Sequence, residues 1–282
     1  MQERAPSAAL IASPYDPEAR YSTKRGLAWV GHKVHLTETC EDGQLHLMTG
    51  VMTTLATTPD CVMGPLIQDD LATRDLLPSV HLLDGGYVDA ELLVTAQTSH
   101  QIDVVGPTFG SYSHQRQAGQ GYDLQAFVID WEANQAYCPQ GQTSVRWTPG
   151  RDVSGDPIVR IRFHAATCRA CPVRQACTQA KDARRQLTVR PQAHHEAIQA
   201  ARRRQETAEF TAQYARRARI EGTHTQAIRR CGLRHCRYIG LAKTHLQHIL
   251  TATALNLVRV VAWLEETPRA TTRRSAFAAL AA

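Results

Sequence analysis

From Val30 the chain alternates. In VGHKVHLTET, Val30, His32, Val34 and Leu36 fall on one side of an extended backbone, the period-two pattern of a half-buried strand. LHLMTGVMTTLA predicts a second strand, and Glu41-Asp42-Gly43 between the two is a hairpin turn signal. The period then changes. In PLIQDDLATRDLLP, Leu66, Ile67, Leu71 and Leu76 recur at helical spacing behind a proline suited to a first helical turn. SVHLLDGGYVD is a short apolar strand ending in Asp84 and two glycines, AELLVTAQTSH a helix, and QIDVVGP another short strand. The order strand, strand, helix, strand, helix, strand from Val30 to Pro107 predicts an α/β layered domain.

Residues 1–28 are polar and proline-containing, and SPYDPEARYSTKRG reads as an extended loop. From Phe109 to Arg190 glycine, glutamine and serine become common and the cysteines cluster, the composition of an insertion with its own small core. From Gln192 helical periodicity returns: Ala193, Ala197, Ala200, Phe210 and Tyr214 line one helix, and Leu246, Ile249, Leu250, Leu257, Val258 and Val261 a last one. The predicted organisation is an N-terminal segment (1–28), the first part of an α/β core (29–108), a Cys-rich insertion (109–190), a helical completion (191–267) and a disordered tail (268–282).

Composition narrows the partners. Hydrophobic residues make up 43% and charged residues 21% of the 282 positions, ordinary for a globular protein. The 6% aromatic content argues against single-strand recognition by stacking platforms. A net charge of +6 suits a polyanion, and the stretch from Arg184 to Lys243 is rich in arginine, whose planar fork matches phosphate. The alternative is a solvated helical face. No signal peptide follows Met1, and the apolar run Ile249 to Leu264 is interrupted by Thr251, Thr253, Asn256 and Arg259, which excludes a membrane span there. The chain reads as cytoplasmic, so its eight cysteines are expected to be reduced.

Cys138, Cys168, Cys171 and Cys177 include a Cys-x2-Cys knuckle and fit four thiolates around one structural zinc. Scattered buried thiols and an iron–sulfur cluster are the alternatives, since thiolates alone do not choose the metal. Asp84 stands at the carboxyl end of a buried strand, where open α/β sheets place ligands, and Asp89 is the cap of the next helix. Tyr214, Arg217 and Glu221 share one helical face. The bland reading is an i,i+4 ion pair beside a core tyrosine. Combined with Asp84 and the basic surround, Glu221 instead suggests a carboxylate kept ionised for a divalent metal that approaches a scissile phosphate.

These residues resemble a DDE-type insertion-sequence transposase of the Y-R-E-K signature group, with Tyr214, Arg217 and Glu221 matching its first three members. Ile228 falls where the basic member is due, with Arg229 and Arg230 directly after it. LLDGGYVD is similar to the strand bearing the second acidic residue, and SPYDPEARYSTKRGLAWVGHKVHLTET, CPQG and GLRHCRYIGLAKTHLQHILTATALNLVRVVAWL extend the resemblance over nearly the whole chain. The resemblance implies a ribonuclease-H-like core, two magnesium or manganese ions held by Asp84 and Glu221, and DNA contacts from Tyr214, Arg217, Arg229 and Arg230. It implies cleavage at transposon ends, joining of the 3′ hydroxyl to target DNA, a homodimer on DNA, and a bacterial, nucleoid-associated location. The first triad aspartate is expected in preceding sequence, making this a carboxyl-terminal fragment in which, with two ligands left, metal affinity and catalysis are expected to collapse; Asp16 is the candidate within the chain. Two rival readings are a non-catalytic nucleic-acid-binding remnant and a thiol or iron–sulfur redox protein.

Overall fold

The computed structural model describes residues 9–24, 26–109 and 121–267. The predicted tail, 268–282, lies outside the described residues, as do parts of the N-terminal segment and of the insertion. The chain divides into two compact units, one of Met1–Pro59, Leu66–Leu76 and Ala215–Ala282, the other of Asp60–Pro65 and Leu77–Tyr214.

In the first unit β1 (Arg20–Lys24), β2 (Leu27–Glu38) and β3 (Met48–Leu55) form an antiparallel sheet in sequence order. The alternation from Val30 sets the register, with Val34 opposite Thr53 and Leu36 opposite Val51. β1 differs from the expected loop: its tight turn into β2 uses Gly26 at φ 79°, a conformation that glycine adopts without steric cost. α7 (Arg219–Cys231) and α8 (Leu241–Leu264) complete the unit, and Met48, Ala227, Leu233, Ala252 and Leu255 form its core.

The orientation of α8 reverses the sequence expectation. Leu246, Ile249, Leu250, Leu257, Val258 and Val261 are exposed, and Thr244, Gln247, His248, Thr251, Ala252 and Leu255 are buried. Polar groups face inward because each of several finds a partner. Gln247 Nε2 donates to the His235 carbonyl at 2.9 Å, Asn256 bonds both the N–H and the C=O of Met48, and Arg259 reaches Glu38. Buried polar groups are tolerated where such bonds offset desolvation.

In the second unit β4 (Val80–Leu82) and β5 (Asp103–Val105) pair in parallel, linked through α2 (Ala90–His100). Leu83, Val88, Leu92, Ala96, Ile102 and Val104 form their shared core. Asp89 caps α2, accepting the Leu92 N–H at 2.8 Å, as its position before AELL predicts. α1 (Asp60–Thr73) starts five residues earlier than expected, with Pro65 inside it rather than at its start; Asp60 supplies the acidic first turn.

β6 (Val128–Asp130) and β7 (Gln135–Tyr137) form a hairpin, and β8 (Arg146–Arg151), β9 (Pro157–Arg162) and β10 (Gln186–Val189) an antiparallel sheet. Phe127, Ala136, Val159, Ile161, Phe163, Leu187 and Val189 make a separate core there. Two short helices, α3 (Ala165–Ala170) and α4 (Arg174–Cys177), join β9 to β10. The helix expected through Tyr214 is two: α5 (Gln192–Gln205) and α6 (Ala208–Ala215). Thr207 starts the second by accepting the Phe210 N–H at 3.2 Å. The architecture is mixed α/β with several small sheets.

Candidate functional site

Asp84 sits just past the end of β4, half-buried, in a turn closed by the Tyr87 N–H to its carbonyl at 2.9 Å. Its Oδ1 accepts the Gly85 N–H at 2.9 Å. The glycines are required by proximity: a Cβ on Gly85 would stand 3.0 Å from the Pro107 carbonyl oxygen, and one on Gly86 would stand 3.2 Å from Asp60 Oδ2. The turn after β4 therefore lies against the turn after β5, with the Asp60 carboxylate beside it. Sequence reading passed over Asp60, because the helix was expected to begin at Pro65, which leaves Asp60 in the connection before it.

Glu221 stands in the first turn of α7 with its side chain 65% exposed, and its Oε1 accepts from Arg217 Nη1 at 3.3 Å. A short 3-10 turn, Arg216–Ala218, precedes α7 and carries Arg217. Tyr214, at the end of α6 in the other unit, stacks on Phe210 at 5.5 Å between centroids. The structure thus brings Arg217 and Glu221 together. Asp84 belongs to one unit and Glu221 to the other.

The helix bearing Glu221 is anchored by a network that the sequence pattern concealed. Thr223 Oγ1 donates to Glu38 Oε2 at 2.6 Å, and Arg259 Nη1 donates to the same oxygen at 3.0 Å. Glu38 is buried, with its side chain 4% exposed. Its only signal was the arginine interrupting an apolar run. His224, next to this pair, is held below the ordinary imidazole range by burial, against the opposing pull of Glu221 and Glu38.

Asp16 is engaged differently. Its carboxylate accepts the backbone N–H groups of Glu18, Ala19 and Gly240 and meets His32 Nε2 at 3.3 Å. Burial works to raise its pKa, but the bonds from Gly240, Glu18 and His32 outweigh burial and hold it below the ordinary carboxylate value. Gly240 is the N-cap of α8, so Asp16, with Glu18 on the Leu241 N–H, satisfies that helix terminus.

Several arginines of the basic stretch are committed to the fold. Arg216 and Arg219 donate to the Cys40 carbonyl, Arg204 makes a bidentate pair with Asp103, and Arg190 pairs with Asp156. Arg229, Arg230, Arg234 and Arg237 are exposed around the end of α7 and the loop after it.

Cys138, Cys168, Cys171 and Cys177 line one cavity of about 410 Å³. Burial pushes the Cys177 thiol up, Arg185 opposes it, and the other three cysteines add to the rise. Arg185 also lines the cavity. Among the described residues no three His, Cys, Asp or Glu side chains are already gathered as a metal-holding group. Among them, too, no helix is long and apolar enough to cross a membrane.

Residues 137–261 match the family model of a transposase DDE domain, a span that includes Arg217 and Glu221 together with all four clustered cysteines. Comparison with curated proteins finds no match, and comparison with solved structures finds none.

Proposed function

We propose that this chain is a DDE-type transposase that performs metal-dependent cleavage and strand transfer of DNA at the ends of a mobile element, a reading supported by the match of residues 137–261 to the transposase DDE domain family. The observation that carries this reading is Glu221 itself: it lies within the matched span, projects into solvent and is held by Arg217. An ionised carboxylate beside an arginine suits both a hard cation and an approaching phosphate.

A ribonuclease-H-like core is part of the proposal, supported by an antiparallel meander followed by a helix and a parallel strand–helix–strand unit. Asp84 and Glu221 are the oxygen donors assigned to magnesium or manganese; a bound ion would polarise the scissile phosphate and lower the pKa of attacking water. The donor chemistry fits, since both side chains are carboxylates, the hard oxygen donors that these cations take, and Glu221 is largely solvated. Arg217 orients Glu221, and Tyr214, Arg217, Arg229 and Arg230 are assigned to the DNA backbone, with Arg234 and Arg237 extending the charge. Asp16 is assigned to the α8 terminus, where its oxygens are already employed.

Nicking of supercoiled DNA by the full chain in manganese tests this. The unaltered chain nicks, Glu221→Gln and Asp84→Asn bind DNA with unchanged affinity, and neither nicks. Nicking that persists in Glu221→Gln overturns the catalytic assignment. Binding without nicking by the unaltered chain overturns cleavage and leaves a nucleic-acid-binding protein.

A further inference from the structure

We propose that Cys138, Cys168, Cys171 and Cys177 bind one zinc ion as four thiolates, and that the Arg185 guanidinium is the charge partner of that site.

The four sulfurs come from short segments with little else to hold them. Cys138 opens a tight turn, with its N–H on the Gln142 carbonyl at 2.9 Å, the Gly141 N–H on its own carbonyl at 2.8 Å, and Gly141 at φ +74°. Cys168 and Cys171 flank a second turn, the Cys171 N–H on the Cys168 carbonyl at 3.3 Å. Cys177 ends α4. α3 has six residues, α4 has four, and neither buries a residue. Helices that short lack the length to sustain themselves. Yet both their cysteines and Cys138 line the same cavity, and Cys138, Cys168 and Cys177 pack on the core of Phe127, Ile161 and Phe163. None of the four is in a disulfide, so no such bond supplies the missing cross-link. A bound metal does, because its binding energy is folding energy.

Arg185 is the independent observation. Its guanidinium is half-buried, with Nη1 on the Cys177 carbonyl at 2.8 Å, Nη2 on the Tyr122 carbonyl at 3.2 Å, and its plane over Phe127 at 5.2 Å. Its Nε is buried without a hydrogen-bond partner among the described residues. A cation withdrawn from water needs an anion nearby. Zinc bound by four thiolates carries net negative charge at that spot. Zinc suits the set because it takes four sulfurs tetrahedrally and leaves no open position, which makes the site structural rather than catalytic. The cavity exceeds what an ion fills, so loading draws the two turns together. The proposal stands whether or not the chain cuts DNA.

Metal analysis of the full chain, followed by cobalt(II) exchange, is the test. About one zinc per chain is expected, and the cobalt form shows the intense visible absorption of a tetrahedral thiolate site. Cys138→Ser and Cys171→Ser lose the metal, whereas Cys236→Ser keeps it. Arg185→Met weakens zinc affinity by roughly 10–100-fold, the usual effect of removing a group that supports metal ligands. If the serine variants fail to fold, stripping zinc from the unaltered chain with a chelator decides: proteolysis between 138 and 185 accelerates and stops again when zinc is restored. A metal-free chain, zinc retained by both serine variants, chelator-insensitive proteolysis, or a brown preparation holding iron and sulfide each overturns the proposal.

Discussion

Glu38 is the residue on which the placement of Glu221 most depends. It accepts from Thr223, two positions beyond Glu221 on α7, and from Arg259 on α8. The pair is largely out of water, with side chains 4% and 17% exposed. Removing one member leaves the other charge buried and uncompensated, which costs about 3–5 kcal/mol. Glu38→Ala is therefore expected to lower the urea midpoint strongly, and Glu38→Met combined with Arg259→Met to cost much less than the two single losses together. Equal, additive losses would show that the two side chains act independently. Neither residue was legible in sequence as a pair, because they stand on separate elements and only Arg259 disturbed a pattern. Glu221 was legible, through its spacing from Tyr214 and Arg217. Arg185 was not, since one arginine among many carries no pattern.

At the scale of elements, α2 was read correctly from its cap. Asp89→Ala removes the bond to the Leu92 N–H and should cost about 1 kcal/mol in a thermal or urea melt. The inversion of α8 shows what periodicity cannot decide. Two faces of that helix both recur at i, i+3 and i+4, and the polar one is inside because His245 and His248 share the Thr53 hydroxyl at 3.2 and 2.7 Å and Asn256 holds β3. Burial of this kind has a pH signature. His248 on α8 and His81 on β4 are each depressed to about 4, by desolvation first and, for His248, by His245 and His32 as well. Their folded pKa lies below the unfolded one, so the unfolded chain binds more protons. Stability is complete above about 6.5 and falls as pH drops toward 4, by up to on the order of 3 kcal/mol for each group. Urea midpoints measured from pH 7.5 to 5 should decline, and His81→Leu should flatten the decline. A slope unchanged by that substitution would place His81 in water.

For the whole molecule, the order of elements from β2 to β5 was readable because each has one apolar face and short connections. The break between α5 and α6 was not, because Thr207 competes for a single backbone N–H within an otherwise helical run. The arginines from Arg184 to Lys243 were read together as suited to phosphate, but Arg190, Arg204, Arg216 and Arg219 hold the fold together. DNA affinity should then rest on the exposed arginines. Arg229→Ala and Arg230→Ala are each expected to reduce the slope of log K against log salt by about 1, while Arg216→Ala leaves that slope unchanged and destabilises the fold. Identical slopes for all three variants would move the DNA surface elsewhere.

The central proposal is that Glu221 serves a divalent cation, and iron(II) substituted for magnesium addresses it directly. With peroxide, bound iron cuts the polypeptide beside its ligands. The account predicts cuts near 221 that are lost in Glu221→Gln. The absence of cuts near 221, or cuts there that survive Glu221→Gln, would contradict it.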